Sequence, residues 1–382
     1  MSKRKRLPAS ISTGDRISDL PDSILSHILS FLSTKLAVKT SILSKRWKPI
    51  WLSVPTFDMF RLFPDHVLDS VMQSRDPKLP ILLFRLKCSE PENFDSLISS
   101  ATQRGVQTLD LNPMCVPLKT KTLSDILNCK TLTVLKLTNI YINDEEVPQV
   151  NVSSIKTLHL DTVHFGRSEK HIISFFLAFP VVEELQWQTD EQFVFFGRKF
   201  IPQTGGTINC FPNLLRANIS DIDLISFFSH SRALLLNVKQ KPQLEIVQIP
   251  MFYNLTQMEL VFNVQERWGA KWEWILKMLQ QSPNLQHLII HEERENENGI
   301  NDKKWEDPKI VPECVSSRLR TCLFRSCRGT KSEVKFAEYV MRNSKVLGTM
   351  TIHCFAFIGI NKMDEILQKL SVCPKSCKLI FD

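Results

Sequence analysis

The sequence predicts an α/β protein in three parts: a small N-terminal three-helix unit, a solenoid whose parallel sheet carries outer helices, and an α/β unit that closes it. Three observations carry this. Aliphatic residues recur at helical spacing between positions 24 and 32, an apolar triplet recurs through the middle of the chain, and a polar run separates that pattern from strand and helix signals near the end.

The helical unit opens at Leu20-Pro21-Asp22. Pro21 suits a first helical position, where its missing N–H costs nothing, and Asp22 sets negative charge at the positive end of the helix dipole. Ile24, Leu25, Ile28, Leu29 and Leu32 gather on one stripe. Ser33 or Thr34 caps a second helix bearing Leu36, Val38, Ile42 and Leu43, and Ser44-Lys45-Arg46-Trp47 leads into a third short element that Pro49 restricts to about one turn. Three helices in some 40 residues form a very small core, so the unit should lean on another surface.

From Val106 the triplet is written L-x-x-L-x-L with substitutions. Val106-Leu109-Leu111, Leu132-Leu135-Leu137, Ile155-Leu158-Leu160, Val182-Leu185-Trp187, Leu255-Met258-Leu260 and Leu285-Leu288-Ile290 are clear, and looser versions stand at Leu214, Ser231, Leu319 and Leu347. The first steps, 132 − 106 = 26, 155 − 132 = 23 and 182 − 155 = 27, fall within the roughly 20 to 29 residues of a leucine-rich repeat. Stacking such units buries the alternating apolar residues beneath a curved parallel sheet, with segments such as 171–179 and 270–280 as helices on its convex side. The polar run 292–304 cannot contribute to a core and marks a boundary. Beyond it, strands at Leu319, Leu347 and Leu379 and helices over 333–341 and 362–370 make the closing unit that a solenoid end needs.

Composition removes several function classes. The formal charge of +8 divides into +4 from Lys3-Arg4-Lys5-Arg6 and +4 from the rest, so no broad basic face for nucleic acid is indicated. No two of the 11 glycines stand in a G-x-G spacing, which excludes a dinucleotide fingerprint and a phosphate-cradling loop. The 10 cysteines contain no C-x-x-C pair and no secretory leader precedes them, so they read as buried thiols of a reducing intracellular compartment. The most apolar stretch, 172–182, is too short for a membrane span. Neither a metal nor any other cofactor is expected. His287 and His291 would share a strand face about 13 Å apart, too far to hold one ion, and Cys373 and Cys377 flank a turn. Trp268, Trp272 and Trp274 sit at helical spacing and read as core.

Side chains alternate along a strand, so the residues beside the inward leucines should line the concave face: Asp110, Lys136, His159, Gln186, Asn218 and Glu259. Their mixture of signs and amides suits a polypeptide partner better than an anionic one. The basic cluster Lys3 to Arg6 reads either as a nuclear-import signal or as a solvated tail, placing the chain in nucleus or cytoplasm.

Leu20-Pro21-Asp22-Ser23-Ile24-Leu25, Ile28-Leu29-Ser30-Phe31-Leu32 and Leu43-Ser44-Lys45-Arg46-Trp47, followed by Trp51-Leu52, resemble the F-box, more narrowly the plant F-box that precedes leucine-rich repeats. The segment from Val311-Pro312-Glu313-Cys314-Val315 through Met350-Thr351-Ile352 to the closing 377–382 is similar to the FBD module that often accompanies it. The resulting division is a basic tail over 1–14, an F-box over 15–61, a connecting segment over 62–104, leucine-rich repeats over 105–291, the loop 292–304 and an FBD module over 305–382. The resemblance implies a non-catalytic substrate receptor of a Skp–cullin–F-box ubiquitin ligase. Leu20, Pro21, Ile24, Leu25, Ile28, Leu29 and Trp47 would then meet a Skp-type adaptor, and through it a cullin, while the repeats hold a target protein. A scaffold that binds the adaptor without presenting a target for degradation is the alternative.

Overall fold

The computed structural model describes residues 17, 19–59, 65–87, 93–113, 116–142, 154–165, 169–188, 210–220, 222–238, 249–262, 268–292, 307–355, 360–373 and 377–381. The basic tail and nearly all of the polar run lie outside them.

The helical unit holds α1 (Asp22–Leu29) and α2 (Thr34–Lys39), followed by 3-10 turns at Thr40–Ile42 and Ile50–Ser53, the latter being the third helical element. Pro49 immediately precedes that last turn and its fixed φ suits so tight an element. A parallel sheet of 14 strands follows in the same body. Its strands are β1 (Thr56–Met59), β2 (Leu83–Lys87), β3 (Thr108–Asn112), β4 (Val116–Leu118), β5 (Val134–Ile142), β6 (Thr157–Phe165), β7 (Glu184–Gln188), β8 (Arg216–Ile219), β9 (Ala233–Val238), β10 (Gln257–Phe262), β11 (His287–Glu292), β12 (Thr321–Cys327), β13 (Thr349–Cys354) and β14 (Lys378–Phe381). Each strand lies beside the next in sequence, apart from β4, which pairs with the far half of β5. Strictly sequential parallel order is what stacked repeats produce.

Helices fill the returns: α3 (Asp65–Gln73), α4 (Phe94–Gln103), α5 (Thr120–Leu127), α6 (Glu169–Leu177), α7 (Trp268–Gln280), α8 (Glu313–Ser317), α9 (Lys331–Asn343) and α10 (Ile360–Ser371). All ten triplets read from the sequence, from Val106-Leu109-Leu111 to Leu347-Met350-Ile352, are buried at every position, and their apolar members lie in one continuous core with the helices. Sequence reading passed over two further triplets: Ile81-Phe84-Leu86 lies in the same core, and in Val54-Phe57-Met59 the last two join it while Val54 packs inside the helical unit. Their steps, 81 − 54 = 27 and 106 − 81 = 25, continue the period backwards. The sheet therefore starts where the helical unit ends. It also runs unbroken into the closing unit, where Trp268 packs on Phe324 and Phe336 and Trp272 on Phe336 and Tyr339.

Thr34 and Arg75 tie the helical unit to the sheet. Thr34 Oγ1, buried at the start of α2, accepts from the Asp58 N–H of β1 at 2.8 Å. Arg75, buried just after α3, donates to the Thr56 carbonyl at 3.0 Å and to the Val54 carbonyl. Burial, reinforced by Arg104, pushes the Arg75 guanidinium down to about 10, still charged at neutral pH.

A capping box starts α9: Glu333 N–H donates to Thr330 Oγ1 at 3.3 Å while the Glu333 carboxylate accepts from the Thr330 N–H at 2.7 Å. Burial, and then the neighbouring Glu292, push this carboxyl above its ordinary range despite those bonds. Folding therefore favours its protonated form. That contribution is full below the ordinary glutamate pKa and is lost as pH rises through the higher folded value. Thermal melts from about pH 4 upward should show Glu333→Gln flattening a decline of stability with pH; a decline unchanged by the substitution would refute the assignment.

Candidate functional site

Two surfaces collect the residues singled out in the sequence. The first is on the helical unit. Arg46 of the Leu43-to-Trp47 motif donates to the Leu20 carbonyl and to the Asp22 carboxylate, at 2.7 Å from Nη2 and 3.0 Å from Nε. The motif thus closes the far end of the unit onto the Leu-Pro-Asp entry of α1. Inside, Leu25, Leu29, Ala37, Trp47, Ile50 and Val54 form a separate small core with Leu20, Leu32 and Trp51 against it.

The seven residues expected at an adaptor surface divide accordingly. Ile24 and Ile28 are exposed at 45% and 41%, Pro21 is exposed and Leu20 is half-buried. Leu25, Leu29 and Trp47 are not on the surface: they are the core of the unit, with Leu25 fully buried. The stripe is wide enough to have an inner and an outer edge, and a three-helix unit uses the inner one to hold itself together. Leu25→Ala is accordingly expected to destabilise this unit by about 2–5 kcal/mol, as for other buried leucines, measurable by chemical denaturation. Sequence reading missed Phe31, Leu36, Ile42 and Leu43, exposed between 48% and 85%. The signal for them was present, since each is a large apolar residue that the helical stripe leaves facing outward.

The second surface is the sheet face opposite the helices. The six expected residues fall on one row: Asp110 is in register with Lys136, Lys136 with His159, His159 with Gln186 and Gln186 with Asn218. The row continues through Leu235 to Glu259. All are half-buried. Register also adds residues that single-strand reading did not reach. Arg85 precedes Asp110 on the row and bridges it, at 3.1 Å, and Asp58, at 3.2 Å. Glu259 is held by Arg325 of β12, 3.0 Å away across the intervening strand. Burial, then Lys136, pull the His159 imidazole below its ordinary value, which keeps it neutral near pH 7.

Between β6 and β13 this face hollows into a trough of about 680 Å³. Its floor carries Leu235, Ile289 and Leu323, and its rim the Glu184–Arg216 ion pair at 3.0 Å.

The remaining chemistry-bearing residues serve packing. Trp268, Trp272 and Trp274 are buried in the core. His287 bonds Thr321 Oγ1 at 2.8 Å and stands four residues along β11 from His291. Burial pushes the thiols of Cys210, Cys314 and Cys322 up to about 12, and those of Cys354, Cys373 and Cys377 upward as well. Such thiols are poor nucleophiles. Among the described residues no three His, Cys, Asp or Glu side chains are grouped as metal ligands, and no helix is long and apolar enough to cross a membrane.

Comparison with known proteins meets this geometry at both ends. The F-box domain matches residues 17–58 and the FBD matches residues 306–352. Over 96% of its length the chain is 27% identical to F-box/FBD/LRR-repeat protein At4g00160 of Arabidopsis thaliana, covering 94% of that protein. It is 28% identical to the Arabidopsis F-box/FBD/LRR-repeat protein At3g26920, over 100% of this chain and 99% of the relative, and 28% identical to FBD-associated F-box protein At5g56370 over 96% and 100%. An F-box, a sequentially stacked repeat sheet and an FBD, in that order and over nearly the whole length, give this chain the architecture of the plant F-box/FBD/LRR-repeat proteins.

Proposed function

We propose that the chain is the substrate receptor of a Skp–cullin–F-box ubiquitin ligase, its helical unit docking on a Skp-type adaptor and its open sheet face holding a target protein. The observation that carries this reading is the exposed apolar surface of a unit that has already filled its own core: Ile24, Ile28, Phe31, Leu36, Ile42 and Leu43 are large apolar side chains left to solvent. So many large apolar side chains left exposed on one small unit point to a protein interface. The Thr34–Asp58 bond to β1 and the Arg75 bonds to Val54 and Thr56 would then fix the docked adaptor relative to the target.

In this reading the chain performs no chemistry, and ubiquitin transfer takes place on other subunits. The raised thiols support that. The basic cluster Lys3 to Arg6 would serve as a nuclear address. Affinity capture of the intact chain under proteasome inhibition should co-purify adaptor, cullin and target, and the target should accumulate when the chain is lost. Capture of adaptor with no change in any bound protein's level would instead make the chain a scaffold.

A further inference from the structure

The row that begins with charges changes character towards the FBD. From Lys136 it passes through His159 to two side-chain amides, Gln186 and Asn218, and then to Leu235, Ile289 and Leu323 with Glu259 between. Leu323 belongs to β12, within the segment that matches the FBD. That module therefore does more than end the solenoid, because it completes the apolar half of the trough and contributes Arg325, which neutralises Glu259.

The charges specify the occupant. Arg216 is engaged by Glu184, Arg325 by Glu259 and Arg85 by Asp58 and Asp110. Lys136 forms no ion pair among the described residues, so the row has an available cation at one end. A side-chain amide offers a donor and an acceptor like a peptide unit, and the buried Asn218 Oδ1 has no hydrogen-bond partner among the described residues.

We infer that the trough and the strand next to its edge bind an extended peptide of an acidic and apolar character, laid across the strands, with a carboxylate at Lys136 just outside the trough, its backbone on Gln186 and Asn218, and two apolar side chains over Leu235 and Ile289 to Leu323. This rests on the receptor reading and names the class of target segment it takes. Lys136 and Leu235 lie four strands apart, about 19 Å at about 4.8 Å per strand, which an extended chain spans in roughly six residues. Leu235 and Ile289 are two strands apart, or about three residues.

The test is selection of displayed random peptides of about 12 residues, enough to span the row at about 3.3 Å each, on the full chain mixed with a Skp-type adaptor. The expected result is enrichment of sequences with an acidic residue about six positions from a pair of apolar ones. Leu235→Asp with Ile289→Asp should weaken the best selected peptide at least tenfold with the thermal transition unchanged, and Lys136→Glu should exchange the acidic preference for a basic one. Absence of enrichment, selection of basic or wholly polar peptides, or peptides that bind both variants as well as the parent would overturn the inference. Adaptor retention, read in the same sample, decides the receptor reading separately: selected peptides without adaptor sustain the trough and remove the ligase role, and adaptor without selected peptides does the reverse.

Discussion

Ile24→Asp combined with Ile28→Asp is expected to abolish capture of a Skp-type adaptor while leaving the folded chain intact. Both side chains project from α1 beside Phe31, on the outer edge of the stripe, and neither belongs to the small core beneath. Carboxylates there would have to be desolvated inside an apolar interface. Loss of interfacial anchors typically costs about 2–4 kcal/mol each, so the pair should weaken binding by a hundredfold or more. Co-purification or titration calorimetry measures the loss, and circular dichroism establishes that the helices persist. Binding within about threefold of the parent would place the adaptor surface elsewhere. Deletion of residues 15–60 is a poorer experiment, because it removes β1 and the Thr34–Asp58 bond along with the helices.

Lys271→Ala is expected to be the most destabilising single substitution outside the apolar core. Lys271 and Glu292 form an ion pair at 3.0 Å with side chains 2% and 5% exposed, and the ammonium also lies 5.6 Å from the Phe262 ring centroid. Removing the lysine leaves Glu292 buried without its counter-charge and close to Glu333. Breaking such a pair from one side costs about 3–5 kcal/mol, whereas replacing both partners by apolar residues is often nearly neutral. Urea denaturation should show a large loss for Lys271→Ala and a much smaller one for Lys271→Met with Glu292→Leu. A single variant within about 0.5 kcal/mol of the parent would contradict this. The position matters because α7, β11 and α9 meet there, at the junction of the repeats with the FBD segment.

Local pattern carried most of the fold and only part of the site. The triplets were legible because alternation and a period near 25 residues both mark them. Val54-Phe57-Met59 and Ile81-Phe84-Leu86 obey the same rule, but aromatic, Met and Ile replace the leucines and they fall in segments read as other things. The open-face row was legible for a related reason, since each member sits beside an inward residue. Helical periodicity, by contrast, places Ile24, Leu25, Ile28 and Leu29 on one stripe without saying which edge meets the chain's own Trp47 and Ile50. That is decided by contacts made from some 20 residues away. The bridge of Arg85 to Asp58 and Asp110, and the reach of Arg325 to Glu259 across a strand, likewise depend on register between repeats. Burial of Lys271 has the same origin, because a lysine among tryptophans on one helix gives no local sign that a glutamate on β11 will meet it.

The central claim is that one chain joins two separate surfaces, an adaptor face on the helical unit and a target face on the sheet. Its most direct test is affinity capture under proteasome inhibition with three forms of the full chain: the parent, Ile24→Asp with Ile28→Asp, and Leu235→Asp with Ile289→Asp. The parent should retain adaptor and target together, the first variant the target alone, and the second the adaptor alone. Loss of both partners in either folded variant, or of neither in both, would contradict the account.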